Sequence, residues 1–102
     1  MKNKKKTSSK PKSHPFEVGE NYLIRTVTMI QVGKLNFVSD KELVLEDAAW
    51  VADTGRFSEF LAKGPLNSNC EIEPFPEGKI IIGRLSIIDA VCWTHGLLRQ
   101  VK

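Results

Sequence analysis

Residues 33–50, "GKLNFVSDKELVLEDAAW", decide the fold. Gly33 and Lys34 interrupt the apolar run before them and open a hairpin. Residues 35–38 read as a strand, and Ser39-Asp40-Lys41 as a turn, because short polar side chains bond to the backbone two residues on. Residues 42–51 then read as a further strand. Upstream, residues 21–32, "NYLIRTVTMIQV", are rich in Tyr, Ile, Thr and Val and read as the strand leading into the hairpin. Three antiparallel strands in sequence make a meander. Alternation places Tyr22, Ile24, Thr26, Thr28, Ile30 and Val32 on one face of the first strand. Leu23, Arg25, Val27, Met29 and Gln31 take the other. Both faces are mixed, as in a strongly bent barrel strand covered on both sides.

Downstream, Asp53-Thr54-Gly55 ends the third strand, and Asp53 or Thr54 is placed to cap a short helix beginning near Arg56, "RFSEFLAK". Phe57, Phe60 and Leu61 recur at helical spacing as its apolar face. Gly64-Pro65 stops it. "CEIEPF" reads as a short strand before Pro76-Glu77-Gly78. "KIII" and "RLSIIDAVCW" read as two more, joined at Gly83-Arg84, and "THGLLRQVK" reads as a frayed end. The expected class is mainly β, with five or six short antiparallel strands and one small helix. Such short strands avoid open edges by closing into a barrel.

The 102 residues fit one domain and a modest core. The net charge of +3 is unevenly divided. Residues 1–14 hold six lysines, among them Lys4, Lys5 and Lys6, and no acid. Residues 15–102 hold nine basic and twelve acidic residues, a net −3. The first 14 residues therefore read as a disordered basic tail and the rest as a single β domain. The tail either solubilises the protein or adds affinity for a polyanion. No apolar stretch follows the lysines, as a signal peptide would require, and no apolar run reaches membrane-spanning length. Two cysteines without Cys-x-x-Cys spacing fit a reduced, cytoplasmic protein. Cys92 is expected as a small buried hydrophobe. Cys92 and His95 are too few ligands for a metal site, so neither metal nor cofactor is expected.

Two resemblances point to function. Asp53-Thr54-Gly55 after an apolar lead resembles the catalytic triplet of aspartic peptidases, and Ile81-Ile82-Gly83-Arg84 resembles a segment near the end of the retroviral type. Such an enzyme, a dimer, would pair two aspartates that share a proton. Only 30 residues separate Asp53 from Gly83, however, and they read as a helix, a loop and one strand rather than a Gly-rich flap. Arg56 beside the triplet would hold the carboxylates ionised. Asp53, Gly55 and Arg56 are therefore read as a turn and cap, with Arg56 pairing Asp53 or Asp47 or else facing a phosphate, and no catalytic residue is assigned.

The second resemblance is broader. "GKLNFVSDKELVLEDAAW" resembles the first Sm motif, and "IIIGRLSIIDAVCW" the second: an apolar strand, a Gly/Arg turn and another apolar strand. The chain as a whole is similar to Sm-like proteins of phages and prophages over residues 21–93. The resemblance implies a small, strongly bent, five-stranded antiparallel barrel that is not an enzyme. Subunits of such a barrel form a ring of about five to seven, the fourth strand of one pairing with the fifth of the next, with Ile80, Ile82, Ile87 and Val91 in or near the contact. It implies Arg84 at the pore rim with Lys41 nearby, facing RNA or another phosphate-bearing ligand. A structural or interaction protein of the same fold, without nucleic-acid binding, is the alternative. Trp50 and Trp93 are expected in the core or at an interface.

Overall fold

The computed structural model describes residues 14–67 and 69–97. Met1 to Ser13, with Lys4, Lys5 and Lys6, lie outside the described residues, as does the end of the chain. His14 lies within them, and the Phe16 amide donates to its Nδ1 at 3.2 Å. The elements in chain order are β1 (Asn21–Thr26), β2 (Ile30–Val38), β3 (Glu42–Asp53), α1 (Phe57–Lys63), β4 (Glu71–Pro74), β5 (Ile80–Gly83) and β6 (Ile87–Cys92). Single 3-10 turns occupy Gly64–Leu66 and Arg84–Ser86. The fold is mainly β, one antiparallel sheet of six strands with one short helix.

The organising element is β3. Its twelve residues span about 40 Å at some 3.3 Å per residue, beyond the reach of a four-residue partner. Along one side it pairs with β2. Along the other it takes two partners, β5 against Glu42 to Leu45 and β4 against Ala49 to Asp53. The strand bends between them, where Asp47 adopts φ 52. The β4–β5 connection seats on that bend: Ala48 N–H donates to Gly78 O at 2.7 Å and Phe75 N–H to Ala48 O at 3.0 Å. The path runs β4-β3-β2-β1-β6, with β5 also on β3. This corrects the expectation of a closed five-stranded barrel. The sheet has a sixth strand and stays open, because the 3-10 turn carries the chain from the β3 side to the β1 side without pairing β5 to β6.

Both sheet faces are buried. One face carries Leu23, Val32, Ala49, Val51 and Ile72, covered by Phe60 of α1 and by Trp93. The other carries Tyr22, Ile24, Leu35, Leu43, Leu45 and Ile82, with Phe16 and Phe75 packed on them. In β1, Tyr22 and Ile24 enter one core and Leu23 the other. Val32, expected on the face of Tyr22 and Ile24, packs with Leu23 instead, because the turn at Val27-Thr28-Met29 breaks the alternation.

The first hairpin differs from expectation. Its turn is Val27-Thr28-Met29, six residues before Gly33, and is closed by Thr26 N–H on Met29 O at 2.8 Å. The Met29 amide also donates to Thr26 Oγ1 at 3.2 Å. No Gly or Asn marks this turn, so the run 21–32 reads as one strand when it is two. Gly33 sits inside β2 for a packing reason. A Cβ there would lie 3.0 Å from the Leu45 Cβ and 3.1 Å from the Ala48 Cβ.

The described end of the chain is tied down rather than frayed. The His95 ring stacks edge-on to Trp93 at 4.8 Å, and its Nε2 lies 2.8 Å from Leu61 O. Gly64, closing α1 with φ 60, leaves the space that ring fills. A Cβ on it would come within 2.4 Å of His95 Cγ. Gly64→Ala is expected to lower stability by about 1–3 kcal/mol from backbone strain alone, measured as a reduced denaturation midpoint.

Candidate functional site

The β2–β3 turn and the 3-10 turn at Arg84–Ser86 meet. Arg84, half-buried, donates from Nη1 to Ser39 O at 2.6 Å, and its backbone N–H donates to Lys41 O at 2.8 Å. The turn it clamps is itself organised by Ser39, whose Oγ accepts from the amides of Lys41 at 3.2 Å and Glu42 at 3.1 Å. Arg84 and Lys41 are therefore brought to one place in the fold. Asp40 and Glu42 flank Lys41 in the same turn, and part of the guanidinium is committed to the turn.

Among the expected contact residues, Ile82 is 5% exposed and belongs to the second core. Ile80 and Ile87 are half-buried against that core, and Val91 is 37% exposed. The other exposed apolar side chains of these strands and their turn are Ile81 (69%), Leu85 (103%) and Ile88 (62%). Three consecutive isoleucines carry no alternation, so sequence alone could not say which one faces outward.

Asp53 is a turn residue. Its Oδ1 accepts from Gly55 N–H at 2.8 Å. It is not the helix cap: Arg56 holds that position, with no side-chain cap bond, and reaches Glu59 at 3.9 Å. Gly55 has φ 66. Asn67, buried and unnoticed in the sequence, holds the turn by donating from Nδ2 to Thr54 O at 3.2 Å. The two peptidase-like segments lie at opposite ends of β3, Asp53 opposite Glu71 and Gly83 opposite Glu42. Among the described residues no cluster of three metal-ligating side chains occurs. Cys92 is exposed, correcting the expectation of burial, whereas Cys70 is buried. No described helix is long and apolar enough to cross a membrane.

A groove of 430 Å³ that the sequence did not announce lies between the β1–β2 turn and the end of β3. Val27, Met29, Trp50 and Ile88 supply its apolar lining, and Arg25 and Thr28 its polar lining. Arg25 is held by Asp89 through two hydrogen bonds, the Nε bond at 2.8 Å, and lies 5.2 Å over the Phe57 ring. The bond to Asp89 raises the Arg25 pKa, and the same bond from Arg25 holds the Asp89 carboxyl below its ordinary 3.8. Gln31 stands opposite Trp50 in the β2–β3 register, 7% exposed, and its Oε1 has no hydrogen-bond partner among the described residues. Comparison of the chain with protein-family models, curated proteins and solved structures found no match.

Two outcomes follow from these contacts. Asp53→Asn keeps the acceptor that Gly55 uses and is expected to leave stability unchanged, while Asp53→Ala loses about 0.5–1.5 kcal/mol by chemical denaturation. The Asp89 contribution exists above the carboxyl's unfolded-state value and disappears as pH falls through its lowered folded-state value. Asp89→Asn should therefore be slightly less stable than the parent at pH 7 and equal to it near pH 2, by urea midpoints. The difference is small, because both side chains are about 40% exposed, at 40% and 43%.

Proposed function

We propose that this chain is a non-enzymatic Sm-like module that assembles into a closed homo-oligomeric ring and holds RNA or a similar polyanion. The observation that carries the reading is the pair of free edges flanking one 3-10 turn. The outer sides of β5 and β6 have no strand partner among the described residues. Exposed Ile81, Leu85 and Ile88 accompany them. Open edges carrying apolar side chains are ready templates for another strand. Pairing β5 of one subunit with β6 of the next is heterologous, so it either closes into a ring or runs on as a filament. The strand order supports the Sm-like reading as well. With β4 set aside, β5-β3-β2-β1-β6 is the order expected of a five-stranded barrel opened at its last two strands. Residues 53–78, an insertion relative to a five-stranded Sm-like barrel, supply α1 and β4, which extend the β3 side.

The ligand reading rests on charge. Six lysines in residues 1–14 offer counterion release to a phosphate backbone, and Arg84 with Lys41 would repeat around one rim of a ring. The neighbouring Asp40 and Glu42 favour a second reading, a ring that binds another protein and no nucleic acid.

Sedimentation separates assembly from its absence. The parent protein is expected as a single species of about five to seven subunits at micromolar concentration, and Ile81→Lys with Ile88→Glu as a folded monomer. A monomeric parent overturns the ring. Deleting residues 1–13 is expected to weaken binding of labelled poly-uridine and flatten its salt dependence. An unchanged affinity and slope would transfer the contact to the folded part.

A further inference from the structure

We propose that the groove beside the β1–β2 turn is the socket for Ile81 of a second copy of this chain, so that the subunit contact covers both the edge of β6 and the groove next to it. The inference rests on the ring reading above and extends it from a strand edge to a packed surface. The ladder alone is too small. β5 offers four residues, about 13 Å of strand at some 3.3 Å each, whereas a stable interface draws about 20–30 residues from each partner. A contact centred on β6 must therefore spread onto neighbouring surface. Ile88 shows where, because it lies on β6 and also lines the groove.

Charge and side-chain direction select the occupant. Val27, 77% exposed, gives the groove an apolar wall together with Met29 and Ile88, and contiguous exposed apolar surface marks protein contacts. Among the described residues lining the groove, Arg25 alone is charged, and Asp89 neutralises it. A strongly charged partner thus finds no counter-charge there. Residues 15–102 hold nine basic and twelve acidic residues, so two copies repel over much of their surface and meet at least cost over a neutral patch. Ile80 and Ile82 of β5 pack on the second core, so Ile81 between them projects from the opposite face. That is the face on which Ile30 and Val51, both in the groove wall, join the first core. A strand added at β6 keeps its two faces continuous with those of the sheet, so Ile81, 69% exposed, arrives on the groove's side of β6. The chain's own β5 is held against β3, with β2 and β1 between it and β6, so the Ile81 that fills the socket belongs to another copy.

Trp50 is half-buried in the groove wall and Trp93 is buried in the first core, so acrylamide quenching of tryptophan fluorescence reports the socket, with Trp50→Phe assigning the signal. The full chain is read over a range of concentrations, with sedimentation on the same samples. Trp50 is expected to be quenched in dilute protein and protected as the assembly forms. Val27→Asp, on the groove wall and outside both β5 and β6, is expected to remain folded by its denaturation midpoint and to raise the concentration needed for assembly at least about ten-fold. Ile81→Ala is expected to restore quenching of Trp50 in whatever assembly remains. An assembly that forms with Trp50 equally quenched at every concentration, and that Val27→Asp leaves unchanged, overturns the socket and leaves the ring standing. Protection of Trp50 that survives Ile81→Ala overturns Ile81 as the occupant. A parent that stays monomeric throughout overturns the ring and the socket with it.

Discussion

The bend in β3 is the constraint from which the rest of the structure follows. A twelve-residue strand with paired neighbours on both sides could lie flat, exposing one of its faces. Asp47, at φ 52, turns it instead, and Ala48 bonds to the connection from β4 to β5 in both directions. Leu43 and Leu45 then enter one core and Ala49 and Val51 the other. Burial of both sets on one strand holds the hydrophobic contribution of both cores in a single element. A fully buried Leu or Val side chain contributes about 1.5–3 kcal/mol. Gly33 belongs to the same device, since β2 can follow the bend only where it lacks a Cβ.

The bend also fixes what is left uncovered. β5 is held against the first half of β3 and β6 against β1, and the turn at Arg84–Ser86 joins them across the open side of the sheet. Arg84 anchors that turn to the β2–β3 loop. Anchored in this way, neither edge can shift to pair with the other without breaking its own ladder. The exposure of Ile81, Leu85 and Ile88 is thus a consequence of topology, and so is the tendency to self-associate that we propose for them.

Much of the fold was legible in the sequence and some was not, for identifiable reasons. The turn at Ser39-Asp40-Lys41 was legible because the Ser39 hydroxyl accepts from the amides two and three residues on, as its type favours. The apolar stripe Phe57, Phe60 and Leu61 was legible by its period, and the helix stop by Gly64-Pro65. The first hairpin was not, because Val27-Thr28-Met29 has the composition of a strand and its turn is closed by a threonine side chain. Gly33 misled for the opposite reason: it looks like a turn and serves as a gap. The clamp of Arg84 on the Ser39 and Lys41 carbonyls was not visible in the sequence, and the groove at Trp50 draws residues from four separate elements and the turn between β1 and β2, so only the folded chain assembles them. Asp53-Thr54-Gly55 shows how a catalytic spelling arises from local need, since an Asp that accepts from the amide two residues on and a Gly at φ 66 are what this turn requires.

The central claim, that a bent β3 leaves β5 and β6 as edges completed by another subunit, is tested most directly by amide hydrogen exchange at two protein concentrations. Amides of β3 are expected to exchange slowly at both, because they are paired within the chain. The outward amides of β5 and β6 are expected to be protected in concentrated protein and to exchange rapidly after dilution below the dissociation point. Edge amides that exchange at the same rate at every concentration, with β3 protected throughout, would contradict the account.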